Sequence, residues 1–198
     1  MKTRILAEIA IMSVLVFFLD IVAHLLPIPG TNEGISLYLL PIFIISFRHG
    51  VKEGVFTALS SSVLFLVFGH FHSLTWQQYF LDYPLALSVV AVAGFYHKKL
   101  VLCDCNCESR SSYLIKGMFY GALLKFMVNV VSTYIFIDHY FEELTEHNIT
   151  LFDSLVANSG VIFSTVYNIV HLLPSILVTA FILLRMFKMY GNRILEKV

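Results

Sequence analysis

The sequence predicts an all-α integral membrane protein, a six-helix bundle with both termini on the cytoplasmic side. Three observations carry that expectation. Of 198 residues, 58% are hydrophobic and only 13% charged, and the mean hydropathy is +0.81, a balance that a soluble domain rarely reaches. The apolar residues gather into six stretches divided by short polar breaks. The basic residues fall almost wholly at one alternating set of ends, and the loops at the other ends carry acids. The formal net charge of +0 conceals this asymmetry.

The first span covers about 5–26 and stops at Pro27-Ile28-Pro29-Gly30. The second, about 35–47, ends at Arg48-His49-Gly50. It falls short of the roughly 20 residues that a helix needs to cross the hydrocarbon core, so it is tilted within the bundle or extends into its loop. The third covers about 54–71, the fourth about 80–96 and the fifth about 113–137. The sixth, about 155–186, is long enough to tilt or to bend near Pro174. With no internal repeat and no linker, residues 1–198 read as a single transmembrane domain. Glu8 and Asp20 interrupt the first apolar run and no small-x-small site follows it, so a cleavable signal peptide is not expected.

Lys2 and Arg4 precede the first span, and Arg48 and Lys52 join the second to the third. Lys98, Lys99, Arg110 and Lys116 join the fourth to the fifth, and Arg185, Lys188, Arg193 and Lys197 follow the sixth. These positions are cytoplasmic by the positive-inside rule. The outer loops hold Glu33, Asp82, Asp138, Glu142, Glu143, Glu146 and Asp153. The bases leave one outlier, Lys125, in the middle of the fifth span.

A charge inside a bilayer is costly and needs a reason. Asn129 lies four residues after Lys125 on the same helix face, and Ser132, Thr133 and Phe136 continue that stripe toward the outer surface. The stripe serves a ligand, a helix-joining hydrogen-bond network, or both. At the start of the fourth span, Phe80-Leu81-Asp82-Tyr83-Pro84 places Pro84 in an expected first turn and Asp82 near the N-cap. Asp82 is then either a cap or an anion that meets a cationic ligand. Asn158 opens the sixth span, while Asn168 and His171, deeper in it, read as interhelical glue. Asp20 is ambiguous in the same way. His70 and His72 flank Phe71 in the outer loop after the third span and suit a metal or a pH-responsive edge.

Cys103, Cys105 and Cys107 form Cys-Asp-Cys-Asn-Cys on the cytoplasmic, reducing side, where structural disulfides are not expected. With His97 they are weak candidates for a soft metal, but zinc sites favour gaps of about two to four residues, and the alternative is a polar turn with incidental thiols. No metal or cofactor is assigned. His-Glu-x-x-His, Gly-x-Ser-x-Gly and phosphate-binding Gly-rich loops are all absent from the sequence, so an enzyme is not expected and no nucleic acid partner is implied. Uphill transport would draw on a partner or an ion gradient.

Several segments together resemble the substrate-binding S components of energy-coupling factor (ECF) vitamin transporters, above all the thiamine-specific one. They are Ala7-Glu8-Ile9-Ala10, Leu40 to Gly50, Gly69-His70, Phe80-Leu81-Asp82-Tyr83, Ala93-Gly94-Phe95, Leu123-Leu124-Lys125-Phe126 and Ser154-Leu155-Val156-Ala157-Asn158. The resemblance implies a six-helix bundle that binds one vitamin near the outer surface of a bacterial plasma membrane. It implies as partners a transmembrane coupling protein and two ATPase subunits. Ala7 and Ala10 correspond to the small residues that contact the coupling protein; four residues after Ala10 stands Val14.

The resemblance also implies a ligand site. Asp82-Tyr83 matches an acidic-Tyr pair whose acid faces the thiazolium, Lys125 matches the fifth-span lysine, and Asn158 the sixth-span asparagine. A family histidine falls at Asn129, tryptophans fall at Ile137 and near Asn32, an acid falls near Ser36, and tyrosines fall at His72 and Asp153. Each lost aromatic plane removes about 0.5–2 kcal/mol of cation–π contact, which Trp76, Tyr38 or Tyr134 would have to replace. The ligand is therefore thiamine, a thiamine-related compound or another small vitamin. Two other function classes stay open: a membrane sensor or regulatory module without transport, and an intramembrane enzyme using Asp82, Lys125 and the histidines.

Overall fold

The computed structural model describes residues 3–23, 34–35, 37–68, 75–102, 107–138 and 159–195. Among these the protein is all-helical, with six long helices. They are α1 (Thr3–Ala23), α2 (Leu39–His49), α3 (Val51–Val67), α4 (Trp76–Leu102), α5 (Cys107–Ile135) and α6 (Gly160–Leu195). By length and composition α1, α4, α5 and α6 each suffice to cross a membrane. The protein is therefore a membrane protein by its helices, as the apolar runs predict.

α2 departs from the usual idea of a span. Its 11 residues reach only about 16 Å, half the hydrocarbon thickness. Eight of them are buried, including the whole run Pro41–Phe47. A helix apolar on every side belongs inside a bundle, and α2 packs against α1, α3, α4 and α6. Phe43 and Phe47 stack along it, and Phe47 meets Phe187 of α6 edge-on at 6.1 Å between centroids. Pro41 sits in its first turn, where a helix has no internal acceptor for the missing N–H.

The turn from α2 to α3 depends on one residue. Gly50 has φ of 112°, a left-handed conformation that side chains resist. Gly94 of α4 lies against that turn so closely that a Cβ would stand 2.5 Å from the Val51 nitrogen and 2.6 Å from the Gly50 carbonyl carbon. Polar atoms hold the other seams. Ser13 of α1 donates to the Thr57 carbonyl of α3 at 3.2 Å, and Tyr79 of α4 donates to the Ser62 carbonyl of α3. Such bonds and small residues matter in lipid, where burial drives helices together weakly. The opposite side of α1 shows Ile11, Val14 and Phe18 outward, an exposed apolar face.

The contacts fix the antiparallel order of the ends. Glu8 near the start of α1 reaches Arg48 and His49 at the end of α2. His97 toward the end of α4 bonds through Nδ1 to the Phe47 carbonyl at 2.9 Å. Arg110 at the start of α5 lies against Gly191 near the end of α6. This is the basic end. At the other end, Gly160 at the start of α6 packs against Tyr134 and Ile137.

Candidate functional site

α4 is irregular after its first turn, in a way that propensity does not foretell. The helix starts at Trp76, with Thr75 as its N-cap; the Thr75 hydroxyl accepts from the Gln78 amide at 3.2 Å. Asp82 is therefore not the cap, and Pro84 is not in the first turn. Both lie on a π-helical turn, Leu81–Leu85, inside the continuing helix. The wide turn suits a proline, which has no N–H to give to the regular ladder. Single π turns gather at functional positions because they re-aim side chains. The segment then tightens into a 3-10 stretch over Val89–Tyr96.

Asp82 and Tyr83 are half-buried on this turn, and the turn packs against α3 and α5. Tyr83 stacks on Tyr79 at 5.2 Å and 19°, and its other neighbour is Phe65 of α3 at 5.1 Å. Phe65 in turn meets Phe17 of α1 at 5.6 Å. The aromatic wall thus crosses three helices. Tyr79 and Phe65 are functional candidates that the sequence reading missed. The spacing Trp76, Tyr79, Tyr83 was the available signal, three and four residues apart on one helix face.

Lys125 on α5 is 2% exposed. Its ammonium donates to Asn129 Oδ1 at 3.5 Å and lies 5.5 Å from the centre of the Tyr38 ring, at the N-cap of α2. A cation over an aromatic face gains about 0.5–2 kcal/mol, which offsets part of its desolvation. Of the three aromatics considered as replacements, Tyr38 is the one that meets Lys125; Trp76 is 64% exposed and Tyr134 52%. Ser132 and Thr133 continue the α5 stripe and are buried, and Asn168 of α6 donates to Thr133 Oγ1 at 2.9 Å and to the Ser164 carbonyl at 2.8 Å. Asn168 is interhelical glue, as expected. Asp20 is buried near the end of α1.

His72, Asn158, Cys103 and Cys105 lie outside the described residues, and Cys107 opens α5. Ala7 and Ala10 are exposed on α1.

The basic end carries a different arrangement, also unread from sequence. Glu8 forms an ion pair with Arg48, Nε to Oε2 at 3.2 Å, meets His49 Nε2 at 2.7 Å, and has Arg4 Nε at 3.6 Å. Two of the segments that carried the family resemblance, Ala7 to Ala10 and Leu40 to Gly50, meet through this carboxylate.

The geometry agrees with what related proteins look like. A solved structure of ThiT from Listeria monocytogenes superimposes with a TM-score of 0.79 at 22% identity, covering 98% of this chain and 99% of that one, which establishes the fold. "Thiamine transporter ThiT" of Bacillus subtilis (strain 168) is 27% identical over 197 residues, 96% of this chain and 93% of the relative. The family model described as "Thiamine transporter protein (Thia_YuaJ)" matches residues 6–194, nearly the whole chain. The protein belongs to that family, a family of transporters rather than enzymes.

Proposed function

We propose that this chain is the S component of an ECF-type vitamin importer and that it binds thiamine or a thiamine-related cation at the acidic end of the bundle. The observation that carries the reading is the π turn of α4. It sets a half-buried carboxylate, Asp82, beside a stacked tyrosine, Tyr83, and it packs against the helix that buries Lys125. A flat cation needs an aromatic plane and a counter-charge, and one turn offers both. Lys125 and Asn129 supply donors and an acceptor to the polar part of the ligand, and Asn158 and His72 are further ligand residues by the family resemblance. The names of the relatives support thiamine as the ligand.

In this reading the chain is one transmembrane domain that crosses a bacterial plasma membrane several times, with both termini inside. It delivers its ligand inward with a transmembrane coupling protein and two ATPase subunits. The exposed Ala7 and Ala10, beside Ile11 and Val14 on α1, form the face that meets the coupling protein. A different small vitamin is the second reading, favoured by Asn129 and Ile137 where the resemblance calls for a histidine and a tryptophan.

Titration of the purified protein with thiamine tests the proposal, followed by calorimetry and by the fluorescence of Trp76. Trp76 is the sole tryptophan and lies 6.5 Å from Tyr79, which stacks on Tyr83. Saturable binding with quenching is expected. A folded sample that takes up no thiamine shifts the ligand to its pyrimidine and thiazole precursors or to another vitamin.

A further inference from the structure

The basic end holds a cavity that the vitamin site does not use. It measures about 510 Å³ and opens between the first turns of α5 and the last turns of α6. Its polar lining is Arg110, Ser111, Ser112, Lys116 and Lys188. Among the described lining residues three are cationic, two carry hydroxyls and none is acidic. That donor set matches the oxygens of a phosphate group, which takes charge-assisted bonds from Arg and Lys and neutral ones from hydroxyls.

Arg110 is held across the seam. Its Nη1 lies so near α6 that a Cβ on Gly191 would stand 2.7 Å away. The missing side chain at position 191 leaves room for the guanidinium, which brings it from α5 to the wall formed by α6. Lys116 and Lys188 are exposed at the rim. The remaining wall is apolar: Phe187 is buried at the floor, and Ile115 is half-exposed at the side. A cationic head space with an apolar flank suits an amphiphilic anion better than a fully hydrated one.

We propose that this cavity binds a phosphate-bearing anion, either the phosphate of an anionic phospholipid in the adjoining leaflet or free phosphate. The proposal is independent of the ligand at the acidic end. Thermal unfolding and native mass spectrometry of the purified full chain test it, with phosphatidylglycerol, chain-matched phosphatidylcholine and inorganic phosphate as probes. Phosphatidylglycerol is expected to bind and stabilise more than phosphatidylcholine. In Lys116→Gln/Lys188→Gln its affinity is expected to fall about tenfold or more, since each base near a lipid surface contributes about 1 kcal/mol, roughly fivefold. Arg110→Gln is a second variant with the same expected direction. If millimolar inorganic phosphate gives the same stabilisation and competes with phosphatidylglycerol, the source is free phosphate; if it does neither, the source is the lipid. Equal binding of the two lipids together with silence toward phosphate overturns the proposal. So does an equal loss in Lys98→Gln/Lys99→Gln, which would mean diffuse surface charge and no built site.

Discussion

Glu8 and Lys125 are both charges set in apolar helices, and the fold treats them in opposite ways. Glu8 collects two guanidinium groups and the His49 imidazole, from its own helix and from the end of α2, at 3.6, 3.2 and 2.7 Å. Lys125 meets an amide oxygen at 3.5 Å and an aromatic face at 5.5 Å. The first arrangement closes on itself and pins helix ends together. The second sets its charge against an amide and an aromatic ring, on the helix that packs against the turn carrying Asp82 and the tyrosine stack. The difference teaches that a charge set in an apolar helix marks architecture at one end and, on our reading, recognition at the other.

The sharpest way to break that contrast is Asp82→Asn. If the acidic end recognises a cation, this variant lowers thiamine affinity about 30-fold or more, roughly 2–5 kcal/mol, by calorimetry, and leaves thermal unfolding in place. Unchanged affinity removes Asp82 from the site. At the basic end the largest effect is expected from Gly94→Ala, whose Cβ would press on the backbone at positions 50 and 51. We expect a loss of about 1–3 kcal/mol in stability with no selective loss of ligand, read by thermal unfolding with and without thiamine.

Lys125→Met separates charge from packing. Methionine keeps a chain of similar length without the charge, so thiamine affinity should fall about tenfold by calorimetry while thermal unfolding shows most of the packing retained. A parallel loss of both would make Lys125 architectural, like Glu8. Glu8→Gln should do the reverse: cost about 1 kcal/mol in unfolding, because the cluster around Glu8 is partly exposed, and leave the calorimetric affinity alone. The smallest effect is expected from Asn168→Ala, about 0.6 kcal/mol by unfolding, the usual scale for one interhelical hydrogen bond in a bilayer.

Much of the architecture was readable beforehand. Apolar runs with basic ends gave six helices, because hydrocarbon thickness and the cost of an exposed peptide group constrain each segment by itself. Lys125 stood out for the same reason, and the Lys125–Asn129 pair follows from helical spacing alone. Less of the candidate site was readable. Thr75 displaced Asp82 as the cap of α4, since the chain begins that helix one turn earlier than its apolar run does. Tyr79 and Phe65 flank Tyr83 from different helices, and no local pattern joins positions 65 and 83.

What the sequence by itself determined is therefore whatever depends on transfer between water and hydrocarbon: the helix count, the membrane setting and the oddity of a lysine in a span. Tertiary structure decided which of those helices is central, which charges meet and where the backbone widens. α2 shows why. From its length it was a marginal span, and in the fold it is the buried axis, with Phe43 and Phe47 packed inward. Hydropathy registers that a residue avoids water, but lipid and protein interior are equally apolar, so packing between segments distant in sequence makes the final choice.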